Sequence, residues 1–291
     1  MLQDYKKHCK ERKEQGIPPL PLSVQQTSDL VELLKSKHKE SELLLELLKE
    51  RIPAGVDQAA YVKAGFLADI TTGKTTSPYI TKKEAVIILG TMLGGYNIQP
   101  LVKCLEDDEL GEEAANALSK TLLIFDAFNE ILELSKTNKN AKTVINAWAE
   151  GTWFQEKQKI AEQIKLTVYK VPGEINTDDL SPATDAWSRP DIPLHALAMF
   201  KMPREGLDKP LETIEDLKKK GNPLVFVGDV VGTGSSRKSA TNSVLWHMGE
   251  EIPYIPNKKE GGFVLEEKLH QFSSIRLKIL ELFQWNAMYQ N

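Results

Sequence analysis

Cysteine is the first scarcity: Cys9 and Cys104 are the only two among 291 residues. They make no Cys-x-x-Cys pair and no metal-ligand framework, so the reading is a cytosolic chain with inert thiols. No stretch is long and apolar enough to cross a bilayer. The opening residues, Met1–Lys10, are charged from the start and lack the apolar centre of a signal peptide. A large excess of positive charge is missing too. The formal net charge of −4 argues against a dedicated nucleic-acid binder and leaves local basic patches open. Nor is there a strict internal repeat. What remains is an ordinary globular balance, 27% charged and 41% hydrophobic, in a chain long enough for two domains with real cores.

From Met1 to about Ile164 nearly every segment predicts helix. Leu30, Val31, Leu33 and Leu34 make one apolar stripe, and Leu43, Leu44, Leu47, Leu48 and Ile52 another, ended by Pro53. Thr81-Lys82-Lys83-Glu84 is a capping box ahead of Ala85–Met92. Pro100 opens a short helix through Cys104. Ala114, Ala115, Leu118, Leu122 and Leu123 continue the pattern, followed by Phe128, Ile131 and Leu132, then Val144, Ile145, Trp148 and Ala149. Helices with short connections predict stacked antiparallel pairs. His8 and His38 read as solvated surface residues.

The pattern changes near Lys165. Leu166–Val171 alternates and is rich in β-branched residues, a strand that Pro172-Gly173 turns into a polar loop, Glu174–Ala183. A helix around Leu194–Met202 and an exposed one over Glu212–Lys220 follow. Leu224-Val225-Phe226-Val227 is a buried strand, and a last strand is expected at Ile252–Ile255. Strand–helix alternation here predicts an α/β domain.

The stretch Gly228–Asn242 leads from the central strand through a glycine-rich turn into the helix Ser239–His247. That order puts backbone N–H groups, the hydroxyls of Ser235 and Ser236 and the guanidinium of Arg237 at the positive end of a helix, a ready site for a small carboxylate or phosphate. The turn is not a P-loop, since no Gly-Lys-Ser/Thr follows. It is not a dinucleotide fingerprint either, since the third glycine is missing.

The segment Gly232-Thr233-Gly234-Ser235-Ser236-Arg237-Lys238-Ser239-Ala240 resembles the substrate-binding turn of the aconitase superfamily. Asn176–Ala183 and Asp185–Leu197, with Tyr61–Leu67 and Gly90–Ile98 upstream, resemble its bacterial aconitase B branch. The resemblance implies an all-α, HEAT-like domain of stacked helix pairs over residues 1–160, and an incomplete α/β swivel domain over 165–265. Past Leu265 it stops, so residues 266–291 read as a non-family tail left by a truncation or a reading-frame change. Leu277, Ile279, Leu280, Leu282 and Phe283 would then lack their intended setting.

The implied activity is that of a hydro-lyase, aconitate hydratase, which interconverts citrate and isocitrate through cis-aconitate; dehydration of 2-methylisocitrate is also open, since the residues do not distinguish citrate from 2-methylcitrate-type substrates. By resemblance Ser235 is the catalytic base, and Arg189, Ser235, Ser236 and Arg237 bind substrate carboxylates. A serine hydroxyl is far too weak an acid to work unaided, and helix N-terminal amides with Arg237 would have to stabilise its alkoxide. The family holds a [4Fe-4S] cluster on three cysteines of other domains. Neither Cys9 nor Cys104 matches them, and no metal ligand is assigned here. The isolated chain is therefore expected to be inactive without the missing cluster-bearing domains.

Plainer alternatives stand beside these assignments. Ser235 or Ser236 could be a helix N-cap alone, Arg189 a surface salt bridge, and Asp178 and Asp179 loop-orienting groups rather than acids. The helical domain is also readable as a protein-interaction or homodimerisation module. Lys218-Lys219-Lys220, Lys258-Lys259 and Arg237-Lys238 offer small basic clusters for RNA, against a reading as solvated charge. No membrane partner is expected.

Overall fold

The computed structural model describes residues 1–121, 127–155, 161–235, 237–266 and 277–279, with the side chains of Arg237 and of 277–279 left aside. It separates into two compact units. The first comprises Met1–Lys6, Leu20–Ile160 and Pro253–Pro256; the second comprises Lys7–Pro19, Ala161–Ile252 and Asn257–Asn291. A helical N-terminal region is thus followed by an α/β region with a small, mostly parallel sheet.

Ten helices precede the first strand among the described residues: α1 Leu2–Glu14, α2 Val24–Leu34, α3 Ser41–Glu50, α4 Gln58–Thr72, α5 Lys82–Gly90, α6 Ile98–Cys104, α7 Gly111–Ser119, α8 Phe128–Leu134, α9 Lys139–Glu150 and α10 Thr152–Gln155. Each apolar stripe becomes a buried face: Leu30, Val31 and Leu34 on α2, Leu44, Leu47 and Leu48 on α3. The Thr81–Glu84 capping box forms with both bonds in place. The helix expected to open at Pro100 begins two residues earlier, at Ile98. Pro100 still lies in the first turn, where its missing N–H costs nothing. Leu122 and Leu123 lie outside the described residues. The Gly90–Ile98 motif has a steric purpose. Gly94 sits at φ +94°, and a Cβ there would meet the Gly55 backbone at 2.2 Å, so only glycine lets the two segments cross.

In the second unit β1 (Thr167–Asn176) pairs in parallel with β2 (Leu224–Thr233). Between them run α11 Thr177–Leu180, a single 3-10 turn Ala183–Asp185, α12 Ile192–Ala196 and α13 Pro210–Lys218. Helix α14, Arg237–Met248, then leads through β3 Glu250–Glu251 and β4 Lys259–Glu260 to β5 Phe263–Glu266, which pairs in parallel with β2. Strand β6, backbone 277–279, adds antiparallel to β5. That segment of the tail therefore has a place in the sheet; residues 267–276 and 280–291, with Leu280, Leu282 and Phe283, lie outside the described residues. The core packs Tyr169, Val171 and Ile175 of β1 and Phe226 of β2 against Ile214 of α13 and Val244 of α14.

Three sequence expectations need correction. Pro172-Gly173 does not end the first strand: β1 continues to Asn176 through a register shift between Val171 and Glu174. Arg204 closes that irregularity by donating to the carbonyls of Pro172 (2.7 Å) and Glu174 (2.5 Å), while Gly173 N–H donates to Asp229 Oδ2 at 2.7 Å. The helix expected over Leu194–Met202 is shorter and earlier, Ile192–Ala196, and the chain turns at Phe200, which takes φ +57°. No strand forms at Ile252–Ile255. Pro253 cannot donate to a ladder, and Tyr254 stands at φ +63°, outside extended conformations.

Candidate functional site

The carboxyl ends of β1 and β2 lie side by side, with Asn176 opposite Thr233, and each strand feeds directly into a helix. At the end of β1, Asn176 caps α11: its Oδ1 accepts from the amides of Asp178 (2.8 Å) and Asp179 (2.9 Å), and Asp179 Oδ2 accepts from Asn176 N–H in return. Asp179 also takes Arg204 Nη1 at 3.1 Å. This carboxylate is a structural cap whose bonds are spent on the fold. At the end of β2, Gly234 and Ser235 make the turn and α14 starts at Arg237. The turn passes very close to α11. Gly234 has φ +109°, and a Cβ there would lie 2.5 Å from Thr177 Oγ1. Glycine is required here on both counts.

Ser235 is exposed at this turn, beside the first amides of α14, which have no partner within the helix. Ser236 and the side chain of Arg237 lie outside the described residues. Arg189 sits on the loop before α12. Its Nε donates to Asp185 Oδ1 at 3.1 Å and its Nη1 to the Leu194 carbonyl at 3.2 Å. Asp185 is almost fully buried and also receives Lys201 Nζ at 2.9 and 3.2 Å. The Lys201 hydrogen bond, reinforced by the charges of Lys201 and Arg189, holds the Asp185 carboxyl below its ordinary range against the opposing effect of burial. The anchoring of Arg189 by a buried carboxylate was invisible in the sequence except as an i, i+4 spacing.

A second set of residues escaped sequence reasoning. Ser181 Oγ lies 2.8 Å from His195 Nε2 and 2.6 Å from Ser239 Oγ, and His195 Nδ1 lies 3.2 Å from the Arg189 carbonyl. Asp191, which precedes α12, is gripped by Arg12 through two bonds, Nη2–Oδ2 at 2.5 Å and Nη1–Oδ1 at 3.2 Å. That guanidinium is nearly buried. Asp191 stands one residue before a helix whose first turn contains Pro193. The sequence signal for such an acid was present, but not its distant partner.

Among the described residues no group of three or more His, Cys, Asp or Glu could hold a metal ion. Cys104 is buried, and burial pushes its thiol pKa up, which disfavours the thiolate a metal needs. A [4Fe-4S] cluster is held by three or four thiolates, and the sequence has two cysteines in all, so the donor set of this chain does not fit one. Three of the seven cluster residues have partners among the described residues: Lys218 pairs with Glu215, Lys219 with Asp216, and Lys259 lies 5.0 Å over the Trp246 ring. No helix among the described residues is long and apolar enough to cross a membrane.

The sequence family described as "Aconitate B N-terminal domain" matches residues 4–154, and "Aconitate hydratase 2 N-terminus" matches residues 166–272. Similar relatives carry the name aconitate hydratase B. The protein of Synechocystis sp. is 59% identical over 274 residues, that of Pseudomonas aeruginosa 57% over 278, and that of Escherichia coli 56% over 278. Each alignment covers 92% of this chain but only 31–32% of the relative. The chain thus spans about a third of the length of the curated relatives it matches.

Proposed function

The chain belongs to the aconitase B family, and on that footing we propose that it carries the carboxylate-binding and proton-abstracting part of an aconitate hydratase. The reaction is the reversible loss of water from a tricarboxylate, citrate to cis-aconitate to isocitrate, with 2-methylisocitrate as a further substrate for dehydration by the same chemistry. Residues 1–160 would form a HEAT-like interaction domain able to dimerise, and residues 165–265 the swivel domain of the enzyme, working in the cytoplasm with cluster-bearing domains.

The observation that carries the reading is the exposed Gly234–Ser235 turn at the carboxyl ends of two adjacent parallel strands, opening into α14. In open α/β sheets ligands collect at such strand ends. A helix start favours negative charge through its unpartnered amides and its dipole. Ser235 at that point can take a proton from the carbon next to a carboxylate only if its alkoxide is stabilised. The first amides of α14 and, as the resemblance implies, Arg237 would supply that, and Ser236 would support the turn or bond the substrate. Arg189 would clamp a second carboxylate, its orientation set by Asp185 and the Leu194 carbonyl. Departure of the hydroxyl needs a Lewis acid, which in the family is a [4Fe-4S] cluster, and these residues do not supply its ligands.

Tricarballylate, an unreactive tricarboxylate, titrated into the ¹⁵N-labelled chain tests the reading. The amides of Ser235 and Arg237 should shift saturably, and the pure chain should not convert citrate after iron reconstitution. Unmoved amides in a folded sample, or turnover by the chain alone, would overturn it.

A further inference from the structure

The hydrogen-bonded series through Ser181, His195 and Ser239 is not used by the proposed chemistry, and its direction can be worked out. A carbonyl oxygen only accepts, so the 3.2 Å contact with Arg189 puts a proton on His195 Nδ1. In the neutral ring Nε2 must then accept, and the hydroxyl of Ser181, 2.8 Å away, is the donor. That uses the single proton of Ser181, whose oxygen is left to accept from Ser239 at 2.6 Å. The sense runs Ser239 to Ser181 to His195 to the Arg189 carbonyl, with every donor assigned.

A serine beside an imidazole whose far nitrogen is held by a third group has the outline of a nucleophile with its base. Ser181 cannot serve as one. It is 2% exposed, so no substrate carbon reaches it, and a second hydroxyl already sits on its oxygen. The ends of the series carry more meaning. One is the backbone of Arg189; the other is Ser239, in the first turn of α14, two residues past Arg237. Ser181 itself ends α11, the helix that touches Gly234. Three segments that carry or adjoin the proposed substrate groups therefore meet through one imidazole. The guanidinium of Arg189 is separately fixed by Asp185, and the start of α12 by Arg12 through Asp191, so the histidine's own contribution is the tie between loop and helix.

We propose that His195 is a positioning residue for carboxylate binding: its Nδ1–H tautomer holds the Arg189 backbone and, through Ser181, the first turn of α14 in one relative placement. The inference rests on the carboxylate-binding reading of Ser235–Arg237. The test uses the ¹⁵N-labelled chain. A long-range ¹H–¹⁵N correlation at about pH 8, above the usual histidine range, should find His195 protonated on Nδ1 alone. A proton on Nε2 overturns the inference whatever the ligand does. His195→Phe keeps a flat aromatic ring, slightly larger, and removes both bonds. It should weaken tricarballylate binding about tenfold, the loss expected for a hydrogen bond, and should shift the Ser181 and Ser239 amides. Ser181→Ala should cost the same, the double variant no more than either single one, and His195→Gln should recover part of the loss by accepting from Ser181. Where His195→Phe fails to fold, Ser181→Ala carries the comparison. Wild-type affinity in these variants overturns the inference while leaving the carboxylate reading intact. A wild-type chain that ignores tricarballylate sinks that reading, and the positioning role with it, even with the tautomer as assigned.

Discussion

Replacing Lys63 by Met would remove a charge that the helical unit holds almost out of water. Lys63 lies on α4 at 4% exposure, and its Nζ reaches the Lys49 carbonyl near the end of α3 at 3.5 Å. Burial drives the ammonium pKa down from 10.5 to about 8, only partly opposed by the charge of Glu50. At 1.36 kcal/mol per pH unit, that fall is a penalty of about 3 kcal/mol on keeping the folded lysine charged. For a group whose folded pKa is depressed in this way, the penalty is full below pH 8, shrinks as pH rises toward 10.5, and is absent above it. Met has a similar unbranched length and no charge to desolvate. Lys63→Met should therefore stabilise the helical unit by about 2–3 kcal/mol at neutral pH, after losing one long hydrogen bond. The assay is urea unfolding of both proteins, with the midpoint difference followed from about pH 7 to about pH 10.5. The gain should dwindle across that range. A variant less stable at neutral pH, or a gain constant with pH, would show that the Lys63 ammonium carries no such desolvation penalty.

Two other outcomes follow from buried ionisable groups of the second unit. His247 donates from Nε2 to the Ala196 carbonyl at 2.9 Å, and burial pushes its pKa from 6.5 to about 4. Its contribution is thus intact above pH 6.5 and lost as pH falls toward 4, by about 3 kcal/mol in all. Unfolding of wild type and His247→Gln, compared at about pH 7 and about pH 4.5, should show the variant less acid-sensitive; equal sensitivity would count against this. Arg12→Lys keeps the charge but not the fork that grips Asp191, and should cost about 1–2 kcal/mol. Arg12→Ala leaves Asp191 unpaired and should cost about 3 kcal/mol or more. Chemical denaturation reads both, and equal midpoints for the two variants would contradict the bidentate geometry.

What was legible in the sequence was local. The Thr81–Glu84 box and the α2 and α3 stripes depend on neighbours within a few residues, and each appears where its pattern lies. The strand–turn–helix order around Gly234 also holds, but β2 runs six residues past Val227 to Thr233 and α14 starts at Arg237, two residues before Ser239. The length of β1 was not legible. Pro172-Gly173 has the composition of a turn, and what carries the strand through it is Arg204 and Asp229, 32 and 56 residues beyond the groups they bond. The candidate site divides in the same way. Gly234, Ser235 and Arg237 announce themselves as one short motif. Asp185, Ser181, His195 and Ser239 are common residue types whose purpose comes from partners up to 58 positions away.

The grip of Arg12 on Asp191 spans 179 positions, and Asn257 reaches back 238 to the Pro19 carbonyl. Residues 7–19 are among the first to leave the ribosome, yet their partners are made late. During synthesis this leading segment must wait, solvated, while more than half the chain is built. Its docking is then a late, high-contact-order event. A ribosome stalled before residue 191 should accordingly present a helical unit already able to resist protease, with the leading segment still open to cleavage.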